Sequence, residues 1–139
     1  MRQATVVVPC YNEESRLQTD AFSRFFEQSD IADVIFVDDG SKDGTAGVLQ
    51  RLCTDWPERT SVMQLGHNCG KAEAVRRGIL RALDSDSQFV GFWDADLATP
   101  IDCVSLFVSE LRRSPQLLAV IGARVRLLGR VIDRRPLRH

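Results

Sequence analysis

Hydrophobic positions along this chain fall in short, mostly unbroken runs. Residues 4–8, 34–37, 61–65, 88–93 and 117–121 are rich in Val, Ile and Phe, and polar residues bound each run. Strands buried on both faces read this way, because a parallel sheet covered by helices hides both sets of side chains. Five strands are therefore predicted. Between them the apolar residues take helical spacing: Leu17, Ala21 and Phe25; Val75, Ile79, Ala82 and Leu83; Val104, Phe107, Val108 and Leu111. Thr99-Pro100-Ile101-Asp102 predicts a helix start, with the Thr99 hydroxyl as cap, Pro100 in the first helical position and Asp102 facing the helix dipole. Glu73 and Arg77 are set to pair across one turn of the third helix. Strand and helix alternate throughout, which predicts an open α/β fold of Rossmann-like layout, its mostly parallel sheet flanked by helices.

The 139 residues, 44% hydrophobic and 27% charged, suit one ordinary domain and exclude wholesale disorder. The longest apolar stretch, residues 117–123, is far short of the roughly 20 needed to span a bilayer. The start, with five apolar residues before Pro9 and then Glu13-Glu14, reads as a first strand rather than a signal peptide, so a cytoplasmic chain is expected. Cys10, Cys53, Cys69 and Cys103 lack C-x-x-C spacing and are expected to be small packed residues. The net charge of −1 conceals two unlike regions. Residues 1–111 carry 10 Lys and Arg against 18 Asp and Glu, whereas residues 112–139 carry 8 Arg against Asp133 alone.

Open α/β sheets bind ligands beyond the carboxyl ends of their strands, and that is where the polar residues gather. The first strand ends in Pro9-Cys10-Tyr11-Asn12-Glu13, the second in Asp38-Asp39-Gly40-Ser41, the third runs into Asn68-Cys69-Gly70-Lys71, and the fourth ends in Asp94-Ala95-Asp96. Two carboxylates flanking one small residue after a buried strand can both turn toward a hard divalent cation, Mg²⁺ or Mn²⁺; the alternative is a solvated turn. In the second element one acid can cap the next helix, leaving carboxylates to accept hydrogen bonds from a ribose or a base imide. Gly70-Lys71, at a helix start, can hold a phosphate, or can be an exposed lysine at a helix N-terminus.

Together, the order and spacing of these segments resemble family 2 glycosyltransferases of the GT-A fold, and Asp96-Leu97-Ala98-Thr99-Pro100 is closest to the dolichyl- and polyprenyl-phosphate hexose synthases. The resemblance implies a nucleotide-sugar transferase: Pro9, Tyr11 and Glu13 lining the nucleotide pocket, Asp38 and Asp39 near uracil or ribose, and Gly70-Lys71 near the phosphates. Asp94 and Asp96, around Ala95, would hold the metal, and with Lys71 they would assist the departing diphosphate. Gly122-Ala123-Arg124 is similar to the branch's Gly-Ser-Arg element, which makes Arg124, with Arg134 and Arg135, the expected acceptor-phosphate ligands at a membrane surface. Arginine forks suit phosphate oxygens.

The implied reaction moves a hexose, glucose first, from UDP-glucose (or another UDP-hexose, or GDP-mannose) to a polyprenyl or dolichyl phosphate with inversion. Such an acceptor is already ionised and needs no general base; no carboxylate after Asp102 is placed to serve as one. The expected organisation is a donor-binding domain over residues 1–123 and the start of a basic acceptor-side segment over 124–139, because the family's catalytic domains continue further. The chain is expected at the cytoplasmic face of a membrane as a peripheral protein, with no nucleic-acid partner; a homo-oligomer would cover an unfinished sheet edge. Two rivals are a non-catalytic nucleotide-binding fragment and a phospho-acceptor receiver domain. The receiver needs acids after the first strand, where Pro9-Cys10 stands, and a lysine after the fifth, where none follows Lys71. No G-x-G-x-x-G follows the first strand, which disfavours a dinucleotide-binding dehydrogenase.

Overall fold

A computed structural model describes residues 2–123. Strands β1 (Ala4–Cys10), β2 (Ala32–Asp38), β3 (Thr60–Gln64) and β4 (Phe89–Phe92) alternate with helices α1 (Thr19–Gln28), α2 (Thr45–Asp55), α3 (Lys71–Ala82) and α4 (Val104–Arg113). The strands pair in the order β3-β2-β1-β4, all parallel, with Val6 beside Val34 on one flank and Gly91 on the other. The chain winds from β1 through β2 to β3 and then crosses to the opposite side of β1. That reversal opens a crevice between the ends of β1 and β4.

Alternation along β1 and β2 divides the core in two. Val6, Val8, Cys10, Val34 and Phe36 face α1, α2 and α4, where Phe22, Phe25, Phe26, Leu49, Val104 and Val108 close over them. Val7, Ile35 and Val37 face α3. The two central strands are buried on both faces, as their unbroken runs predict, while β3 and β4 are the edges and are only partly covered. Among the described residues no helix is long and apolar enough to cross a membrane.

Three expectations are corrected. The run 117–121 forms no strand: it lies across a groove from β4, Leu118 and Ile121 are exposed, and among the described residues its one backbone bond is the turn from Leu117 N–H to Ser114 O. An apolar run becomes a strand only where it finds a ladder partner, and among the described residues it pairs with none. The buried stripe of α3 is Ala74, Gly78 and Ala82, with Leu83 left exposed. Small residues win because the helix lies so close to the sheet that a Cβ on Gly78 would come within 2.3 Å of Val7 Cγ1. Finally, α4 is entered through a 3-10 turn, Ile101–Cys103, whose cap position is Pro100 without a side-chain bond. The Thr99 carbonyl instead accepts Trp93 Nε1–H at 2.8 Å, so its residue serves as a clasp on the turn after β4 rather than as a cap.

Candidate active site

The four strand ends meet at one cleft of about 320 Å³, lined by Pro9, Cys10, Tyr11 and Glu13 from β1, Asp39 after β2, Asn68, Gly70 and Lys71 after β3, and Asp94, Ala95 and Asp96 after β4. Arg16 completes the wall. The volume is at the lower end of the range of small-molecule sites. Its position follows from the strand order, since the cleft opens where the chain reverses direction across the sheet.

The first two strand-end loops are latched together. Asn12 N–H donates to Ser41 Oγ, Glu13 N–H to Thr45 Oγ1 and Glu14 N–H to Asp43 Oδ2, while Lys42 N–H donates back to Asn12 Oδ1 and Gly44 N–H to Glu14 Oε2. Five bonds between segments about 30 residues apart hold these loops at one height. Asn12 takes a left-handed backbone, φ 51°, at the bend. A third loop is tied in through Asp39, which is buried and accepts Cys69 N–H at 2.7 Å and Gly70 N–H at 2.9 Å. Gly40, φ 67°, permits this approach, because a Cβ there would lie 2.4 Å from the His67 carbonyl carbon.

These bonds change the reading of the acids after β2. Asp38 is buried, accepts Ser41 N–H at 3.0 Å and is not part of the cleft wall. Asp43 accepts Thr45 N–H at the start of α2. All three carboxylates therefore have internal partners, Asp38 through Oδ1, which accounts structurally for part of their acceptor capacity. Asp39 still borders the cleft, with its oxygens committed to the amides that set Gly70 and Lys71.

The turn after β4 is built from the core outward. Ala95 and Leu97 are buried among Ile101, Val104 and the α1 aromatics, so Asp94 and Asp96 are forced to the solvent side. Leu97 adopts φ 49°, an uncommon conformation for a leucine, and its N–H closes the turn on Asp94 O at 3.1 Å. Gln18, preceding α1, donates Nε2–H to Asp96 O at 2.9 Å, and Asp96 Oδ1 accepts Ala98 N–H. Lys71, the first residue of α3, reaches across the cleft to Asp94 Oδ1 at 2.5 Å.

On the β1 side, Glu13 Oε1 pairs with Arg16 at 2.8 Å, and Glu13 Oε2 is buried without a hydrogen-bond partner among the described residues. Burial pushes the Glu13 carboxyl above its usual value; Arg16 pulls it down and Asp96 adds to the rise. Arg16 and Gln18 are the wall and support residues that sequence reasoning missed. The i, i+3 spacing from Glu13 could have flagged Arg16; the Gln18 contact spans 78 residues and leaves no local signal. Cys10 lies beneath the cleft, and burial raises its thiol well above the ordinary range. Cys53, Cys69 and Cys103 are half-buried free thiols. Arg124, Arg134 and Arg135 lie outside the described residues, as does the whole basic segment 124–139.

The donor set fits a hard divalent ion in one specific sense. No group of three or more His, Cys, Asp or Glu capable of holding a metal occurs among the described residues. Asp94 and Asp96 supply two half-exposed carboxylates, and Mg²⁺ is commonly held by one or two protein carboxylates with water and substrate phosphate completing the shell. Asp94 already carries a cationic partner, the Lys71 ammonium.

Known proteins resemble the chain along its length. A dolichyl-phosphate beta-glucosyltransferase from Mus musculus is 34% identical over 139 residues, covering 91% of this chain and 42% of the relative. The chain thus spans less than half the length of the curated relatives it matches. The mannosyltransferase PcManGT from Pyrobaculum calidifontis, solved with GDP-Man and Mn²⁺, superposes with a TM-score of 0.61 at 26% identity, covering 76% of this chain and 31% of that one. Staphylococcus aureus TarS 1-349 with UDP gives a TM-score of 0.61 at 22% identity, covering 81% and 33%, and speaks for the fold alone. These neighbours share the GT-A layout built above, which sets the receiver-domain rival aside. The model of glycosyl transferase family 2 matches residues 5–139, and the chain belongs to that family.

Proposed function

We propose that this chain carries the nucleotide-sugar site of a transferase that moves a hexose, glucose from UDP-glucose in the first instance, to a polyprenyl or dolichyl phosphate with inversion. The observation that carries the reading is the meeting of Asp94, Asp96 and Lys71 across the β1/β4 crevice, with the surrounding loops latched in place. The names of the relatives supply the acceptor and the sugar; GDP-mannose is the alternative donor, after the mannosyltransferase neighbour.

In this reading Pro9, Tyr11 and Glu13 receive the nucleoside and Asp39 holds the Gly70-Lys71 corner under the diphosphate. Asp94 and Asp96 would hold Mg²⁺ or Mn²⁺, which when bound supplies Lewis-acid neutralisation of diphosphate oxygens. The Lys71 ammonium stabilises charge on the departing nucleoside diphosphate, a preorganised electrostatic role. An acceptor phosphate oxygen attacks the anomeric carbon from the face opposite the leaving group, the carbon–oxygen bond to the nucleotide breaks, and no proton need be removed from the acceptor. Arg124, Arg134 and Arg135 are proposed for the acceptor phosphate, and the eight arginines of residues 112–139 for an anionic membrane surface at its cytoplasmic face.

Titration calorimetry with UDP tests the donor half. Binding is expected to strengthen with Mn²⁺, and Asp96→Ala is expected to weaken the metal-dependent part by more than about tenfold, the scale of lost charge-assisted contacts. UDP binding that ignores both the metal and Asp96 would overturn the reading. A second reading is nucleotide binding without transfer. Turnover of UDP-glucose with a short polyprenyl phosphate decides between the two.

A further inference from the structure

We infer that Lys71 gates the cation site: with the cleft free of nucleotide its ammonium neutralises Asp94, and a divalent ion gains that carboxylate only as the ammonium passes to a diphosphate. The inference rests on reading Asp94 and Asp96 as the cation ligands. Three observations support it. The Lys71 Nζ to Asp94 Oδ1 contact, 2.5 Å, occupies one of the two oxygens Asp94 can offer a divalent ion and neutralises the charge that would attract it. Both side chains are more than half exposed, 60% for Lys71 and 52% for Asp94, so the pair supports no packing and can open without disturbing the fold. The backbone beneath Lys71 is fixed, since Asp39 holds the Cys69 and Gly70 amides, so the change is confined to swinging the flexible lysine stem.

Charge counting gives the direction. Lys71, Asp94 and Asp96 together carry −1, a weak site for a divalent ion, and one acid is already neutralised. An ion on the two carboxylates, with the ammonium still close, brings the cluster to +1 and leaves the cations facing one another. A diphosphate relieves that repulsion by taking the ammonium. Arg16, the other cation of the wall, is held by Glu13 and is not free to substitute. Metal and nucleotide therefore favour each other's binding, and such coupling is reciprocal.

The test is Mn²⁺ binding to the 139-residue chain followed by the free-ion electron paramagnetic resonance signal, with and without UDP, in wild type, Lys71→Met, Lys71→Arg and Arg16→Met. Without UDP, Lys71→Met is expected to bind Mn²⁺ about 3- to 10-fold more tightly than wild type, somewhat above the worth of one exposed ion pair because a repulsive charge also leaves. Lys71→Arg should stay near wild type, and Arg16→Met should gain less than Lys71→Met. With UDP present the advantage of Lys71→Met should vanish, and its mutual enhancement of metal and nucleotide should collapse. Weaker UDP binding by Lys71→Met with no gain in metal affinity overturns the gate and leaves the proposed function standing. Equal gains in the Lys71→Met and Arg16→Met variants also overturn it, by reducing the effect to bulk charge. Absence of Mn²⁺ binding by every variant, even with UDP, overturns the cation site and the gate together.

Discussion

The two ends of this sheet carry charge clusters of comparable density, and only one of them looks built to meet a ligand. At the amino end Arg2 and Arg59 face Asp30 and Asp33, with Arg2 Nε 3.1 Å and Arg59 Nε 3.4 Å from Asp33 Oδ1. Arg59 is 5% exposed and donates to the carbonyls of Phe26, Ser29 and Ala32 while its guanidinium lies over the Phe26 ring. It ties off the end of α1 and the start of β2, placing both terminal nitrogens on main-chain oxygens, while its Nε faces Asp33 Oδ1 without forming a hydrogen bond. At the carboxyl end Lys71, Asp94 and Asp96 stand half exposed around a cleft, and Glu13 keeps an unpartnered oxygen beside it. Clustered charge by itself says nothing about function. Among the described residues, buried atoms without a hydrogen bond occur at both ends, Arg2 Nε, Asp33 Oδ1 and Arg59 Nε at one and Glu13 Oε2 at the other. What separates the ends is exposure: Arg59 is buried against the backbone, whereas Lys71 and Asp94 face open space.

Three substitutions press on this contrast. Arg59→Met should cost about 2–4 kcal/mol of stability by stranding buried carbonyls, read by urea denaturation, while UDP affinity at a temperature where the variant is folded stays within twofold of wild type. A loss of UDP binding there would join the two ends and erase the distinction. Asp39→Asn sits on the boundary: one oxygen survives to serve one of its two amides, so about 1–2 kcal/mol of stability should be lost. UDP affinity should fall with it, because the Gly70-Lys71 corner is no longer fixed. The smallest effect belongs to Glu13→Gln. Burial raises the Glu13 carboxyl in the folded chain, so its ionisation opposes folding: the contribution is most favourable below the ordinary carboxylate pKa and is lost as pH rises through the raised value. Melting temperatures should show wild type losing stability relative to the glutamine variant as pH rises above the ordinary glutamate value of about 4.3. A difference that stays flat above that pH would mean that Arg16 fully compensates the buried charge.

Much of this architecture is legible in the residues themselves. The unbroken runs of β1 and β2 announce strands covered on both sides, and the rule that ligands gather at carboxyl ends locates the cleft. The failures share one physical cause, the dependence of a local role on a partner far along the chain. Asp39 looks like a spare acceptor until the amides of Cys69 and Gly70 arrive 30 and 31 residues later. The run 117–121 looks like a strand because its composition carries no information about the groove that separates it from β4. Gly78 breaks the apolar pattern of α3, yet it marks the point of closest contact, since nearness to the sheet rewards the absence of a side chain.

Leu97 gives the acidic turn an unusual kind of control. The direction of two carboxylates is set by a hydrocarbon wedge seated beside Ala95 and Ile101, in a backbone conformation that leucine rarely takes. The turn behaves as a short lever whose fulcrum lies in oil and whose loaded arm lies in water. Altering the shape of the interior beneath α4 therefore re-aims charges on the surface without changing any charged residue, and the packing of this domain becomes a dial on its electrostatics.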